Sequence, residues 1–280
     1  MNTYIKHSLL MAALTLLSTT AYSAKLEEPN PNPQGIQVVP MDPSRDPDHV
    51  ETKIIYPKEN EMKTSSPVKG QIRVDGFPLG YDSEQPRSNE VWNDPKGQSL
   101  HIFIDNQPYF TVNEALLDAL DDVEDYFDST AEFEIPFKLQ PGMHIIRAFP
   151  CRSYNESIKS DKAFAISTFF YQDKKDTQKI DLTMPYLTFN EPQGEYENTG
   201  KNPQPILLDF YLCNCDLSRD GYKVRLTIDN SIVRTLTAWQ PYYIYGMKKG
   251  MHRVRLELLS PENKLVPGPF NDVTRTIVIK

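Results

Sequence analysis

No stretch of this 280-residue chain is apolar for long enough to cross a bilayer as a helix, which takes about 20 apolar residues. The apolar run at residues 9–17 falls short of that. It follows Lys6 and precedes the small residues Ala21 and Ser23, the layout of a secretory signal cut after Ser23. An uncleaved amino-terminal anchor is the alternative. No cysteine stands at the cut, so a lipoprotein is not expected, and no stable membrane insertion is expected either.

Positive charge is also short. The chain has 30 Lys and Arg against 38 Asp and Glu, a formal charge of −8, and loss of Lys6 with the signal makes it one unit more negative. Such a chain is repelled by phosphate, which argues against nucleic-acid binding. Cysteine is scarce: Cys151, Cys213 and Cys215 are an odd number, so at least one is unpaired in a monomer. Cys213 and Cys215 lie two apart in a predicted strand, with parallel side chains and Cα atoms near the upper limit of about 7 Å for a bridge. They are not expected to bond to each other; idle thiols and an intermolecular disulfide both stay open. The chain lacks Gly-x-Ser-x-Gly, His-Glu-x-x-His and P-loop motifs, and the Asp-x-Asp-x-Asp-Gly register of an EF-hand. No catalytic residue, metal site or cofactor is assigned.

Hydrophobic residues make up 39% of the chain, enough for packed cores. Residues 24–50 carry Pro29, Pro31, Pro33, Pro40, Pro43 and Pro47 and read as an extended tether, since proline fixes φ and removes a donor. Beyond it lies an internal repeat. Residues 100–106 (LHIFIDN) match 224–230 (VRLTIDN), and residues 141–147 (PGMHIIR) match 249–255 (KGMHRVR). The openings at residues 54–57 and 187–190 also correspond. Leu100, Ile102, Ile104 and Val224, Leu226, Ile228 alternate with the period of half-buried strands.

The fold class expected is all-β: two tandem immunoglobulin-like β-sandwiches, residues 51–175 and 176–280, each of about seven short strands. Antibody-type Cys…Trp…Cys spacing is missing, which points to the wider immunoglobulin or fibronectin-III architecture. The turn Pro141-Gly142-Met143-His144 and the segment Gly268-Pro269-Phe270-Asn271 resemble those of exported bacterial proteins with immunoglobulin-like domains. The resemblance implies fold and export and supplies no activity.

The first copy carries an insertion at residues 111–131, predicted to be an acidic amphipathic helix. Thr111 and Glu114 form a capping-box pattern, and Leu116, Leu117, Leu120, Val123 and Phe127 share one face. Asp118, Asp121, Asp122, Glu124 and Asp125 form a candidate surface for a basic partner. The helix is expected to cover Phe103, Ile145 and Phe149, which point outward where the second copy has Thr227, Arg253 and Glu257.

His144 and His252 are repeat equivalents after a Gly turn, which suggests a turn-holding hydrogen bond; Met143-His144 and Met251-His252 could offer metal ligands, but in separate copies. Tyr243, Tyr245 and Met247 are read as inward on their strand. Tyr242 and Ile244 would then face out beside Trp239, a candidate ligand surface for a glycan or peptide. Asn155-Glu156-Ser157 matches a glycosylation sequon. These features fit a non-enzymatic exported binding or structural module, periplasmic or extracellular, with an unknown protein or glycan partner. A periplasmic hydrolase with an unrecognised site and a metal-binding envelope protein are the alternatives.

Overall fold

The computed structural model describes residues 35–114, 129–174, 180–197 and 204–280. In chain order its strands are β1 (Gln37–Pro40), β2 (Glu51–Tyr56), β3 (Glu61–Lys63), β4 (Lys69–Asp75), β5 (Ser99–Ile104) and β6 (Phe110–Val112). There follow β7 (Ser129–Glu134), β8 (Gly142–Cys151), β9 (Ala165–Tyr171), β10 (Tyr186–Glu191), β11 (Gly194–Tyr196) and β12 (Ile206–Cys213). The last are β13 (Lys223–Ile228), β14 (Ile232–Leu236), β15 (Tyr242–Tyr245), β16 (Gly250–Leu259) and β17 (Asp272–Ile279).

Four sheets pack as two pairs. The first pair is β2-β4-β7 against β3-β9-β8-β5-β6; the second is β1-β15-β12-β10 against β11-β17-β16-β13-β14. Apart from β1, the second pair repeats the first strand for strand. Even the irregularities recur: the register slips between Ile54 and Tyr56 in β2 and between Phe189 and Glu191 in β10. This slip aligns Ile54 with Phe189, so the opening match read from sequence, Ile54 with Leu187, is displaced by two residues. Each pair encloses a core drawn from alternate strand positions, one around Ile72, Leu100, Ile102 and Ile146, the other around Phe210, Val224, Leu226 and Val254.

The repeated histidines hold one turn in each pair. His144 places Nδ1 2.7 Å from Asp105 Oδ2 and Nε2 2.7 Å from the Gln140 carbonyl, while Asp105 Oδ1 accepts from the Ile145 amide. His252 does the same with Asp229, the Lys248 carbonyl and the Arg253 amide. Asp105 and Asp229 follow the matched strands β5 and β13 with φ of 52° and 50°, a left-handed kink that aims each carboxylate back across the sheet.

Three sequence expectations are corrected. The first concerns the tether. Residues 37–40 form a strand, antiparallel to β15, with Val38 opposite Ile244 and Pro40 opposite Tyr242. Proline is tolerated there because β1 is an edge strand. The chain thus begins its described course on the second sheet pair before building the first. Residues 41–50 are docked as well: the Ser44 amide and hydroxyl both donate to Glu156, and Asp46 accepts from Arg152 and from the Lys159 amide.

The second concerns the insertion. Phe110–Val112 and Ser129–Glu134 are strands, so residues 111, 112 and 129–131 belong to sheets. The expected helix itself, with Leu116, Leu120, Phe127 and the acids Asp118, Asp121, Asp122, Glu124 and Asp125, lies outside the described residues. The apolar face it was expected to cover is covered by the second sheet pair. Phe149 stacks on Tyr211 at 5.1 Å, and Ile145 packs against Tyr186 and Phe270. Phe270 also lies 3.5 Å from the Arg147 guanidinium. The outward residues of β5 and β8 meet the outward residues of β10 and β12, and the two halves share a buried seam.

The third concerns β15. Tyr242 and Ile244 point into the core with Met247, whereas Tyr243 faces the first half against Val91 and Tyr154. Gly246, at φ 75°, breaks the alternation between Ile244 and Met247, so counting back from Met247 by twos lands on the wrong face.

Candidate functional site

A cleft of about 480 Å³ opens along one end of the seam. The first half contributes Lys159, Asp161, Phe164 and Ile166, which lead into and begin β9; the second contributes Tyr211 to Asp216 at the end of β12, and Trp239 ahead of β15. The rings form a continuous wall. Phe164 stacks on Tyr211 at 4.9 Å and 25°, and Trp239 meets Tyr211 edge-on at 5.0 Å. Tyr211 is the buried floor, its hydroxyl donating to the Ser160 carbonyl, while Phe164 and Trp239 are half-buried flanks. The Trp239 indole N–H donates to the Phe210 carbonyl at 2.8 Å, which fixes the ring while leaving part of it open to solvent. A fixed amphipathic ring at the edge of a concave site is suited to contact a ligand at low entropic cost.

Sequence reasoning singled out Trp239 but not its companions. The alternation Asp209, Tyr211, Cys213 on β12 places these side chains opposite the buried Leu208, Phe210 and Leu212, as the sequence pattern predicts; that Tyr211 meets Phe164, far away in the chain, carries no local signal. Cys213 lies on the seam and Cys215 packs toward the second core, because Asn214, at φ 58°, ends the strand between them. All three cysteines are unbridged. Burial pushes the thiols of Cys213 and Cys215 up, to about 12 and about 11, so neither is an activated nucleophile.

Behind the cleft runs a dense polar network. Lys159 Nζ lies 2.5 Å from Asp209 Oδ1, and Asp209 Oδ2 accepts from the Asn190 amide and the Ser157 backbone. Asn190 Oδ1 lies 2.7 Å from His101 Nδ1, and Cys151 Sγ is 3.7 Å from Asn190 Nδ2. Glu191 accepts from Tyr109, Tyr196, the Gln193 amide and Asn155. These residue types include a Cys/His/Asn set, but Cys151, His101 and Asn190 are all fully buried. Burial lowers His101 to about 4, so its ring is neutral, and raises the Cys151 thiol well above its usual range. Burial also raises Glu191 to about 7 against its hydrogen-bond donors. A thiol sealed from solvent has no route to a substrate, and the network acts as a weld between the halves. Asn155 of the sequon is part of that weld, its amide engaged with Glu191 and its carbonyl with Asn190.

Among the described residues, no group of three or more His, Cys, Asp or Glu is placed to hold a metal, and no helix is long and apolar enough to cross a membrane.

The folding pattern is all-β, two pairs of packed sheets with one strand order apart from β1. No family model and no curated protein matches the chain. Among solved structures, it is similar to the fibronectin(III)-like modules of Clostridium thermocellum CbhA, at 11% identity, 82% of this chain, 94% of that chain and a TM-score of 0.26. It is also similar to latent PorU from Porphyromonas gingivalis, at 13% identity, 82% and 20% coverage and a TM-score of 0.27. A third is the Bacteroides ovatus glucan-utilisation protein SGBP-B, at 10% identity, 82% and 47% coverage and a TM-score of 0.19. At TM-scores this low, none of these likenesses carries an argument.

Proposed function

We propose that the protein is an exported, non-enzymatic binding module whose ligand occupies the seam cleft between two immunoglobulin-like sandwiches. The observation that carries this reading is the Phe164–Tyr211–Trp239 wall, three rings from two separate parts of the fold brought to one concave site. Export is supported by the signal-like residues 1–23. The non-enzymatic reading is supported by the burial of the nucleophilic and titratable residues behind the cleft. The ligand-contacting residue retained from the sequence reading is Trp239; Tyr242 and Ile244 serve the core.

Immobilised glycan and peptide arrays probed with the whole protein test this. A positive species should bind the Phe164→Ala variant about tenfold more weakly, as expected for loss of one ring from a contact site. Undiminished binding by Phe164→Ala and Trp239→Ala variants would place the ligand elsewhere.

A further inference from the structure

The charges around the cleft are unevenly satisfied. Lys159, its one lining cation, is turned inward to Asp209, which is fully buried. The nearby Arg147 is also withdrawn, donating to Thr188 and the Asp105 carbonyl beneath the Phe270 ring. Asp161 and Asp216 both line the cleft, one from each half, and both are exposed. Among the described residues neither makes an ion pair or a side-chain hydrogen bond. The cleft therefore presents aromatic rings inside and two unneutralised carboxylates at its rim.

We propose that the cleft binds an organic cation, either a quaternary ammonium group or the guanidinium of an arginine in a basic peptide. This deepens the cleft reading and rests on it. Ring quadrupoles attract a weakly hydrated cation, and the attraction grows when the site excludes water. The rim carboxylates add long-range attraction to the same sign of charge and oppose anionic ligands such as acidic sugars. A neutral sugar would use the rings but gain nothing from two unpaired acids. Because the acids come from different halves, a bound cation bridges the seam.

Replacing the other tryptophan, Trp92→Phe, makes Trp239 the sole indole reporter in the whole protein. Its fluorescence is titrated with tetramethylammonium chloride, an arginine-containing peptide amide, an uncharged oligosaccharide and an acidic peptide, with sodium chloride as the ionic-strength control. Saturable change with either cation is expected, weakened by added salt. Asp161→Asn with Asp216→Asn should weaken it about tenfold, as for loss of two screened rim charges, while Glu59→Gln, an exposed acid elsewhere, should not. Response to both cations identifies the shared chemistry, and response to the peptide alone identifies the basic chain as its source. If neither cation acts but the sugar or the acidic peptide does, the cation assignment is overturned and the cleft reading stands. If none of the probes acts and the arrays are also blank, both fall. The rim variants are exposed, so loss of binding in them is not loss of fold.

Discussion

Lys159 reaches across the seam to Asp209, its ammonium 2.5 Å from a carboxylate with no solvent exposure. Breaking a buried pair on one side strands the other charge and costs about 3–5 kcal/mol. Lys159→Met should therefore destabilise strongly, and Lys159→Met with Asp209→Leu should cost less than the sum of the two single changes. Urea unfolding of the four proteins in the cycle reads this directly; simple additivity would show that the contact is energetically idle.

Phe103 is 1% exposed on the first half, and its repeat equivalent Thr227 faces outward on the second. Phe103→Ala should cost about 3–5 kcal/mol through lost burial and a cavity in the seam. Thr227→Ala should stay within about 0.5 kcal/mol. Similar losses in denaturation midpoint for the two would remove the distinction between a covered and an open face.

Both ring nitrogens of His144 face acceptors, Asp105 and the Gln140 carbonyl, an arrangement that only the doubly protonated ring fully satisfies. Burial works against the charge, but the Asp105 and Gln140 hydrogen bonds and the Asp105 charge raise the pKa of His144 above its usual value. Its stabilising effect is complete below the unfolded value of about 6.5 and is lost as pH rises through the folded one. His252 is raised in the same direction by Asp229 and Lys248, again against burial. Stability measured from about pH 6 to about pH 9 should fall, and less so in His144→Gln with His252→Gln. An unchanged slope in that double variant would assign the pH dependence to other groups.

The β1 strand lays Val38 partly onto the second core, opposite Ile244. Val38→Asp should lower stability by about 1–3 kcal/mol and speed amide exchange in β15, whose edge β1 covers. Exchange in β15 that does not respond would mean that β1 is a passive addition to the sheet.

The sequence was legible where side chains alternate over several residues with both copies in view. The matched segments ending in Asp105 and Asp229, the inward sets of β5 and β13, and the turn role of His144 and His252 all follow from local pattern. The outward apolar set Phe103, Ile145 and Phe149 was also readable as a surface needing cover. Its cover was not, because Tyr211 and Tyr186 lie far along the chain and no periodicity links one face to another. β1 was obscured for a similar reason. Four residues among prolines carry almost no strand signal, and their pairing with β15 spans the whole first half. At β15 a single left-handed glycine reversed the face assignment, and that moved two proposed ligand residues into the core.

The two halves use opposite faces at their junction, which gives the molecule a direction. The first half offers the face of β5 and β8, and the second receives it on β10 and β12. The equivalent surfaces at the far ends carry charge instead: Arg225, Arg253 and Arg255 beside the exposed Met251 on the second half, and Lys53, Gln71 and Arg73 on the first. Phe103 and Phe149 are replaced at the distal end by Thr227 and by Glu257, which is locked to Arg225. Tyr211 is replaced at the proximal end by Arg73. Among the described residues the aromatic stacking of the seam is thus made once: neither Thr227 and Glu257 at one end nor Arg73 at the other can repeat it.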